Sequence, residues 1–200
     1  MPTSLLEDNP YSGQSDEELA EKSRKRDEFA FQELMHRYMR QIFNFSRQYS
    51  KTAEDAEDIA QDTFFKVWKY INKYTKDRQF RPWLYTIARN TALDFLKKKK
   101  ASVFSELDDT DNDLQFADTL EDKEPLAPDI LDKSASADVV NKALESLHPD
   151  HRAVLILHYR EEMTFDEIAV VIKRPMNTVK SWHRRALFKL RDILSESHHI

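Results

Sequence analysis

The sequence predicts an all-α fold in which two small helical domains are joined by a flexible acidic linker. The first observation behind this is glycine, because the chain has one glycine in 200 residues where average usage would give about 14. The second is that apolar residues recur at helical spacing on both sides of a central acidic stretch. The third is that stretch itself, which holds eleven acids and one lysine between Ser105 and Asp132 and has too little apolar surface to pack well.

Composition also excludes several classes of function. A chain with a single glycine does not build a glycine-rich phosphate loop or a dinucleotide fingerprint. Without cysteine it has no disulfide, no thiolate metal site and no cysteine nucleophile. The longest apolar runs are five residues long, whereas a membrane span needs about 20. We therefore expect a cytoplasmic protein with no membrane insertion.

The net charge of −5 conceals an uneven distribution of charge along the chain. Residues 78–100 contain seven bases and one acid, and residues 173–191 contain seven bases and no acid. Two basic segments flanking an acidic one suggest contact with nucleic acid at two places. The pattern divides the chain into a first domain over residues 1–104, an acidic linker over 105–137 and a second domain over 138–200.

Local signals place four helices in the first domain. Ser15 and Glu18 form a capping box that begins a short helix. Thr52 can cap the third helix, and Pro82 suits the first turn of the fourth. Helical spacing predicts which side chains of the three longer helices face inward, namely Phe31, Leu34, Met35, Tyr38, Ile42 and Phe45, then Ala56, Ile59, Ala60, Thr63, Phe64, Val67 and Ile71, then Leu84, Ile87, Ala88, Thr91 and Phe95.

The second domain is predicted to begin with two helices. We expect Asp138 to cap a helix over Val139–Leu147. Pro149 then opens a second helix that runs through Tyr159.

A helix-turn-helix is predicted to follow. Thr164 and Glu167 form a capping box, and residues 173–175, Lys-Arg-Pro, end that helix. Asn177 or Thr178 caps a final basic helix through Leu190. Two short helices, a tight turn and a basic second helix are typical of a helix-turn-helix that reads the major groove.

The final helix carries the side chains that suit DNA. Lys180 and Arg184 lie one turn apart, as do Ser181 and Arg185. Arginine and lysine can donate to guanine edges or neutralise phosphates. The alternative is an ordinary solvated basic helix, which the absence of any acid between residues 173 and 191 disfavours.

Carboxylates crowd the start of the third helix. Acids stabilise a helix N-terminus, so part of this cluster is structural. Asp55, Asp58 and Asp62 continue beyond the first turn as a stripe, which favours docking of a basic partner. Two alternatives stay open: a solvated face without a partner, and a paired-carboxylate catalytic or metal site.

Aromatic and basic residues interleave between Tyr74 and Lys100. Aromatic rings can stack on unpaired bases while nearby cations follow the nucleic-acid backbone. The alternative is that Phe80 and Trp83 simply belong to the core. Histidines near residue 150 are spaced like metal ligands, but no fourth ligand is evident. We predict no metal, no cofactor and no catalytic residue.

In combination, four segments resemble the extracytoplasmic-function (ECF, sigma-70 family group IV) type of bacterial RNA polymerase sigma factor. The segments, in order, are FQELMHRY, DAEDIAQDTFFKVW, FRPWLYTIARNTALDFLKKKK and MTFDEIAVVIKRPMNTVKSW. The resemblance implies that the first domain is of the region 2 type and the second of the region 4 type. It further implies a non-enzymatic subunit that directs core polymerase to a promoter with −10 and −35 elements.

The resemblance also implies roles for particular residues and partners. The implied partners are core RNA polymerase, through its β′ clamp helices and β flap, promoter DNA and an anti-sigma factor. Core docking is implied for Asp55, Asp58, Gln61, Asp62, Phe65 and Trp68. Reading of the −10 element is implied for Arg78, Phe80, Arg81, Trp83, Tyr85, Arg89, Asn90, Lys97 and Lys98. Reading of the −35 element is implied for Asn177, Thr178, Lys180, Ser181, Arg184 and Arg185.

Two questions stay open at this level. Trp182 stands where such factors often have arginine, and it either packs inward or contacts thymine methyl groups. The alternative function is a stand-alone helix-turn-helix transcriptional regulator with an N-terminal sensing or dimerisation domain. The basic and aromatic block over residues 74–100 distinguishes the two, because a regulator that reads only double-stranded DNA does not need it.

Overall fold

The computed structural model describes residues 10–50, 52–103 and 143–196, and these residues form helices and short connections. The first helical part, residues 10–103, contains four α-helices, and a short 3₁₀ turn, Ile71–Lys73, follows the third. The four are α1 Asp16–Arg24, α2 Glu28–Ser46, α3 Ala53–Tyr70 and α4 Phe80–Val103. The second helical part, residues 143–196, contains α5 Pro149–Leu155, α6 Phe165–Ile172 and α7 Met176–Glu196. The all-α prediction is confirmed.

The helix starts follow local capping chemistry. Ser15 Oγ accepts from the Glu18 amide at 3.2 Å, and the Glu18 carboxylate accepts from the Ser15 amide at 2.9 Å, so the predicted capping box is present. The box of Thr164 and Glu167 is also present. Thr52 Oγ1 accepts from the Asp55 amide at 3.1 Å, which confirms the predicted start of α3. These caps satisfy amides that a helix N-terminus otherwise leaves unpaired.

Two predicted boundaries in the second part differ from the structure. Helix α7 begins at Met176, and the carbonyl of Pro175 accepts the first helical hydrogen bond, from the Val179 amide at 3.1 Å. Asn177 and Thr178 therefore lie in the first turn rather than at the cap. The helix opened by Pro149 ends in a π-helical turn, Ile156–Arg160. The cap predicted at Asp138 and the whole linker over 105–137 lie outside the described residues.

The turn between α6 and α7 contains a strained residue. Lys173 has φ 57° and ψ 45°, the left-handed conformation that glycine adopts most easily. The conformation reverses the chain tightly enough for α7 to pack against α6. This confirms the predicted helix-turn-helix and shows that lysine occupies its left-handed position.

The core of the first part is rich in aromatic rings. The Tyr74 and Phe80 centroids lie 5.8 Å apart, Phe80 and Trp83 5.8 Å apart, and Phe45 and Tyr85 5.2 Å apart. Tilted and edge-on pairs at such distances add to the burial of apolar surface. Most side chains of α2 and α3 that were predicted to face inward are buried. They are Phe31, Leu34, Tyr38, Ile42, Phe45, Ala56, Ile59, Ala60, Thr63, Phe64 and Val67.

The two helical parts pack against each other. Helix α4 lies against α6, and one continuous apolar cluster joins residues of both parts. From the second part that cluster takes Ala153, Val154, Ile156, Leu157, Met163, Ile168, Val171, Ile172 and Val179. We call this packing the closed arrangement. A smaller apolar cluster joins α5 to α7. No described helix has the length and apolar character needed to cross a membrane.

Candidate docking and nucleic-acid interfaces

Helix α3 presents an acidic and aromatic stripe to solvent. Asp58, Gln61, Asp62 and Phe65 are all exposed and fall on one face at spacings of three and four residues. Phe65 is 66% exposed, which is unusual for so large an apolar side chain. We call these four residues the α3 stripe. An aromatic ring surrounded by carboxylates suits a partner surface that is basic around an apolar pocket.

The other two residues predicted for docking are engaged within the first part. Asp55 accepts from Lys99 Nζ at 2.6 Å, and this contact lowers the pKa of the Asp55 carboxyl. The Trp68 ring packs 4.8 Å from Phe31, and the Arg26 guanidinium lies 5.2 Å from its centroid. Asp55 therefore links α3 to α4, and Trp68 links α3 to α2.

The residues predicted to read the −10 element divide into buried and exposed groups. Phe80 is fully buried against Tyr38, Tyr74 and Trp83, so in this structure it belongs to the core. This differs from the expectation that its ring is presented to bases. Its amide donates to Glu17 at 3.1 Å, which fixes the start of α4. The exposed members are Arg78, Lys97 and Lys98, and the partly buried ones are Arg81, Trp83, Arg89 and Asn90.

Tyr85 is also fully buried, and its hydroxyl contacts a residue of the second part. Its hydroxyl donates to Glu161, a carboxylate that is 3% exposed. Arg81 Nη2 lies 3.3 Å from the same oxygen of Glu161. Burial, together with the charge of Glu161, raises the pKa of Tyr85, so its hydroxyl keeps its proton and acts as a donor. The expected stacking role of Tyr85 is not available in the closed arrangement.

A second ionic contact involves Arg89, which lies one helical turn beyond Tyr85 and two turns beyond Arg81 on α4. Arg89 Nη2 lies 2.5 Å from Asp150 Oδ1, and both side chains are largely shielded from solvent. The Tyr49 hydroxyl is buried beside this pair, and burial raises the pKa of Tyr49. Glu161 and Asp150 did not stand out in the sequence. No local pattern distinguishes them from other acids, because their partners come from a distant segment.

Helix α7 carries the side chains predicted for the −35 element. Asn177 and Lys180 are exposed, whereas Thr178, Ser181, Arg184 and Arg185 are partly buried. The Lys180 ammonium lies 6.0 Å from the Phe165 centroid, and the Arg184 guanidinium lies 5.8 Å from the Phe188 centroid. These contacts hold the two cations over aromatic rings at the surface of the second part.

Trp182 packs inward. It is partly buried against the shared apolar cluster, and its ring lies 5.4 Å from that of His151. Of the two possibilities for this residue, the structure supports packing within the second part. The neighbouring His183 stacks on Tyr159 at 5.5 Å, and burial lowers its pKa to about 4. Among the described residues no group of three or more potential ligands could hold a metal ion.

Comparison with known proteins identifies both helical parts. The family model described as Sigma-70 region 2 matches residues 34–102, and that described as Sigma-70, region 4 matches residues 137–190. A Salmonella typhimurium protein named ECF RNA polymerase sigma-E factor is 30% identical over 172 residues, covering 84% of this chain and 87% of that protein.

Two solved structures share the fold. CnrH, solved in complex with the cytosolic domain of CnrY, has a TM-score of 0.67 at 22% identity, covering 92% of this chain and 99% of that one. The sigma factor RpoE of Bartonella quintana, solved with the anti-sigma factor NepR, has a TM-score of 0.63 at 24% identity, covering 82% and 96%. With both sigma-70 regions matched in order and a relative at 30% identity over most of its length, the chain belongs to the extracytoplasmic-function sigma factors, which bind core RNA polymerase and direct it to promoters.

Proposed function

We propose that the α3 stripe is the surface by which this sigma factor docks on the β′ clamp helices of core RNA polymerase. The observation that carries the proposal is the exposure of Phe65 among Asp58 and Asp62 on one helix face. An apolar anchor surrounded by charges is the usual anatomy of a protein interface. Asp55 and Trp68 support the stripe by holding α3 against its neighbours.

The DNA-binding roles are divided between α4 and α7. The loop that carries Arg78, the start of α4 and its exposed Lys97 and Lys98 would bind the melted −10 strand, with cations on the phosphates and Trp83 near the bases. The face of α7 with Asn177, Lys180 and Arg184 would read the −35 element in the major groove. The chain acts by binding alone in this scheme, and the polymerase carries out the chemistry.

A protein inhibitor is a further proposed partner. We also propose that the second part contacts the β flap of the polymerase. The inhibitor is supported by the structural likeness to the sigma factor RpoE of Bartonella quintana, which was solved in complex with the anti-sigma factor NepR. A stand-alone helix-turn-helix regulator is not favoured, because a match to region 2 precedes the match to region 4.

The docking role is tested with a double charge reversal, Asp58→Lys with Asp62→Lys. We expect the variant to lose capture of core polymerase in a pulldown and to lose run-off transcription on genomic fragments. The matched control is Glu145→Lys with Asp166→Lys, which makes the same change in net charge at two exposed sites of the second part. Retained capture by a folded Asp58/Asp62 variant would show that the stripe is not the docking surface.

A further inference from the structure

We infer that Phe188 is a positioning residue for base reading, because its ring fixes the guanidinium of Arg184 for the −35 element. The inference deepens the proposed function and rests on the proposed role of Arg184 in reading DNA. The Arg184 guanidinium lies 5.8 Å from the Phe188 centroid. The two residues are one turn apart on α7, so their side chains share a face of the helix.

Phe188 is not part of the core of the second part. Its ring is 40% exposed, and neither of the two apolar clusters formed by the described residues includes it. The neighbouring Leu187 and Leu190, by contrast, pack into the cluster that joins α5 to α7. The ring therefore lies at the surface, where its face attracts a cation.

Helix geometry places this ring behind the guanidinium. Cα–Cβ bonds tilt toward the N-terminus of a helix, so the side chain of Phe188 covers the turn that contains Arg184. Arg184 leans in turn toward the start of α7, which is the end that a helix-turn-helix inserts into the major groove. Phe188 thus supports the guanidinium from the side away from the bases.

An aromatic ring can orient an arginine without using its hydrogen-bond donors. A carboxylate partner would accept from the same N–H groups that must reach the edge of a guanine. A ring face instead attracts the guanidinium through its π electrons, and the donors stay in the guanidinium plane. The sequence agrees with this arrangement, since residues 173–191 contain no acid. Arg184 can therefore be held by Phe188 and still donate to a base.

Lys180 illustrates why orientation matters more at Arg184. The Lys180 ammonium lies 6.0 Å from the Phe165 centroid, but an ammonium is a compact charge whose donors rotate. A guanidinium reads guanine through two parallel N–H bonds, so its direction decides whether both bonds form. Fixing that direction in advance also lowers the side-chain entropy that binding must remove. We therefore expect Phe188 to affect discrimination between bases.

The contact itself is tested on the full chain by nuclear magnetic resonance with isotope-labelled arginine. The Nε–H signal of Arg184 is assigned by its absence from an Arg184→Lys variant. Phe188→Leu should move this proton signal to higher frequency, because protons over the face of a ring are shielded by it. Phe29→Leu is the matched control, since it replaces another exposed phenylalanine, in the first part. An Arg184 signal that does not respond to Phe188→Leu would overturn the contact.

The consequence is tested with this sigma factor bound to core polymerase. The probes are a promoter recovered by run-off transcription and its single-base −35 variants. Discrimination is the ratio of the affinities for the parent promoter and for the variant at the position most sensitive to Arg184→Ala. Phe188→Leu should lower that ratio about two- to fivefold, the size of an exposed cation–π contact. Phe188→Tyr should retain the ratio, because it keeps the ring, and Phe29→Leu should not change it.

A double-mutant cycle separates positioning of Arg184 from contact of the Phe188 ring with DNA. In an Arg184→Ala background, Phe188→Leu should have no further effect on discrimination. The inference is overturned by an unchanged ratio for Phe188→Leu, by equal losses for Phe188→Leu and Phe188→Tyr, or by a loss that persists without Arg184. If Phe188→Leu fails to fold by circular dichroism, Phe188→Met replaces it in every measurement.

Arg184→Ala, measured alone in the same assay, distinguishes the two levels of the argument. If its loss of affinity is equal for all promoter variants, the proposed reading role fails and the inference fails with it. If its loss depends on the base while Phe188→Leu has no effect, the proposed function stands and the inference alone is overturned.

Discussion

Arg89 Nη2 lies 2.5 Å from Asp150 Oδ1, although 61 residues separate the two in sequence. The pair joins α4, which carries the proposed −10 surface, to α5 of the second part. A residue that sequence reasoning assigned to DNA thus has a carboxylate partner within the free chain. The contact therefore pairs a cation of α4 with a carboxylate of its own chain.

Replacing Phe80 and replacing Phe65 with alanine should have opposite effects on stability and on docking. Phe80→Ala should lower the free energy of unfolding by about 3–5 kcal/mol, because it leaves a cavity among Tyr38, Tyr74 and Trp83. Phe65→Ala should change it by less than about 0.5 kcal/mol, since the ring is mostly exposed, and should weaken capture of core polymerase. Urea unfolding and pulldown measure the two effects. A stable Phe80→Ala variant would argue against the core role.

Arg184 is expected to discriminate between bases. Arg184→Ala should cost about 1–3 kcal/mol at particular −35 base pairs if the guanidinium donates to a guanine edge. The measurement is binding of the polymerase complex to single-base variants of promoters recovered by run-off transcription. Arg191→Ala, at an exposed position further along α7, should show no dependence on base. A loss for Arg184→Ala that is uniform across sequences would mean contact with phosphate only.

Replacing Lys173 with glycine should stabilise the protein by relieving backbone strain. Its φ of 57° places a side chain in the left-handed region, where the Cβ atom crowds the following carbonyl. Lys173→Gly should raise the free energy of unfolding by about 0.5–1 kcal/mol, because glycine carries no such penalty. Arg174→Gly loses the same charge at a residue without positive φ and should not stabilise. Equal thermal midpoints for the two variants would count against strain at Lys173.

His183 should make stability depend on pH. Burial and the nearby His158 lower its pKa to about 4, whereas an unfolded histidine titrates near 6.5. The stabilisation is therefore present above about pH 6.5 and is lost as pH falls toward 4, because the unfolded chain binds the proton first.

The His183→Phe variant isolates this effect. It keeps an aromatic ring beside Tyr159 and Phe165 but cannot take up a proton. Between pH 6.5 and 4 it should lose about 1–2 kcal/mol less stability than the parent, after allowance for the solvent that reaches this ring. His36→Gln, at an exposed position of α2, should follow the parent curve. Parallel curves for the parent and His183→Phe would contradict a shifted pKa.

The sequence by itself determined the helices, the caps at Ser15, Thr52 and Thr164, and the acidic stripe of α3. These features depend on residues three or four positions apart, such as Ser15 with Glu18 or Asp58 with Asp62, and that spacing is visible in one dimension. The helix-turn-helix could be predicted for the same reason. The start of α7 at Met176 could not, because the carbonyl of Pro175 rather than a side chain accepts the first hydrogen bond of that helix.

Only the tertiary structure decided which aromatic and basic residues of α4 are buried and which partners they contact. Phenylalanine and tyrosine suit a core as well as a stacking platform, so their type could not show that Phe80 and Tyr85 are buried. Glu161 is buried and accepts a hydrogen bond from Tyr85, 76 residues away. No pattern in the sequence reports such a pairing, since it arises only when the second part packs on the first and brings its carboxylates to α4.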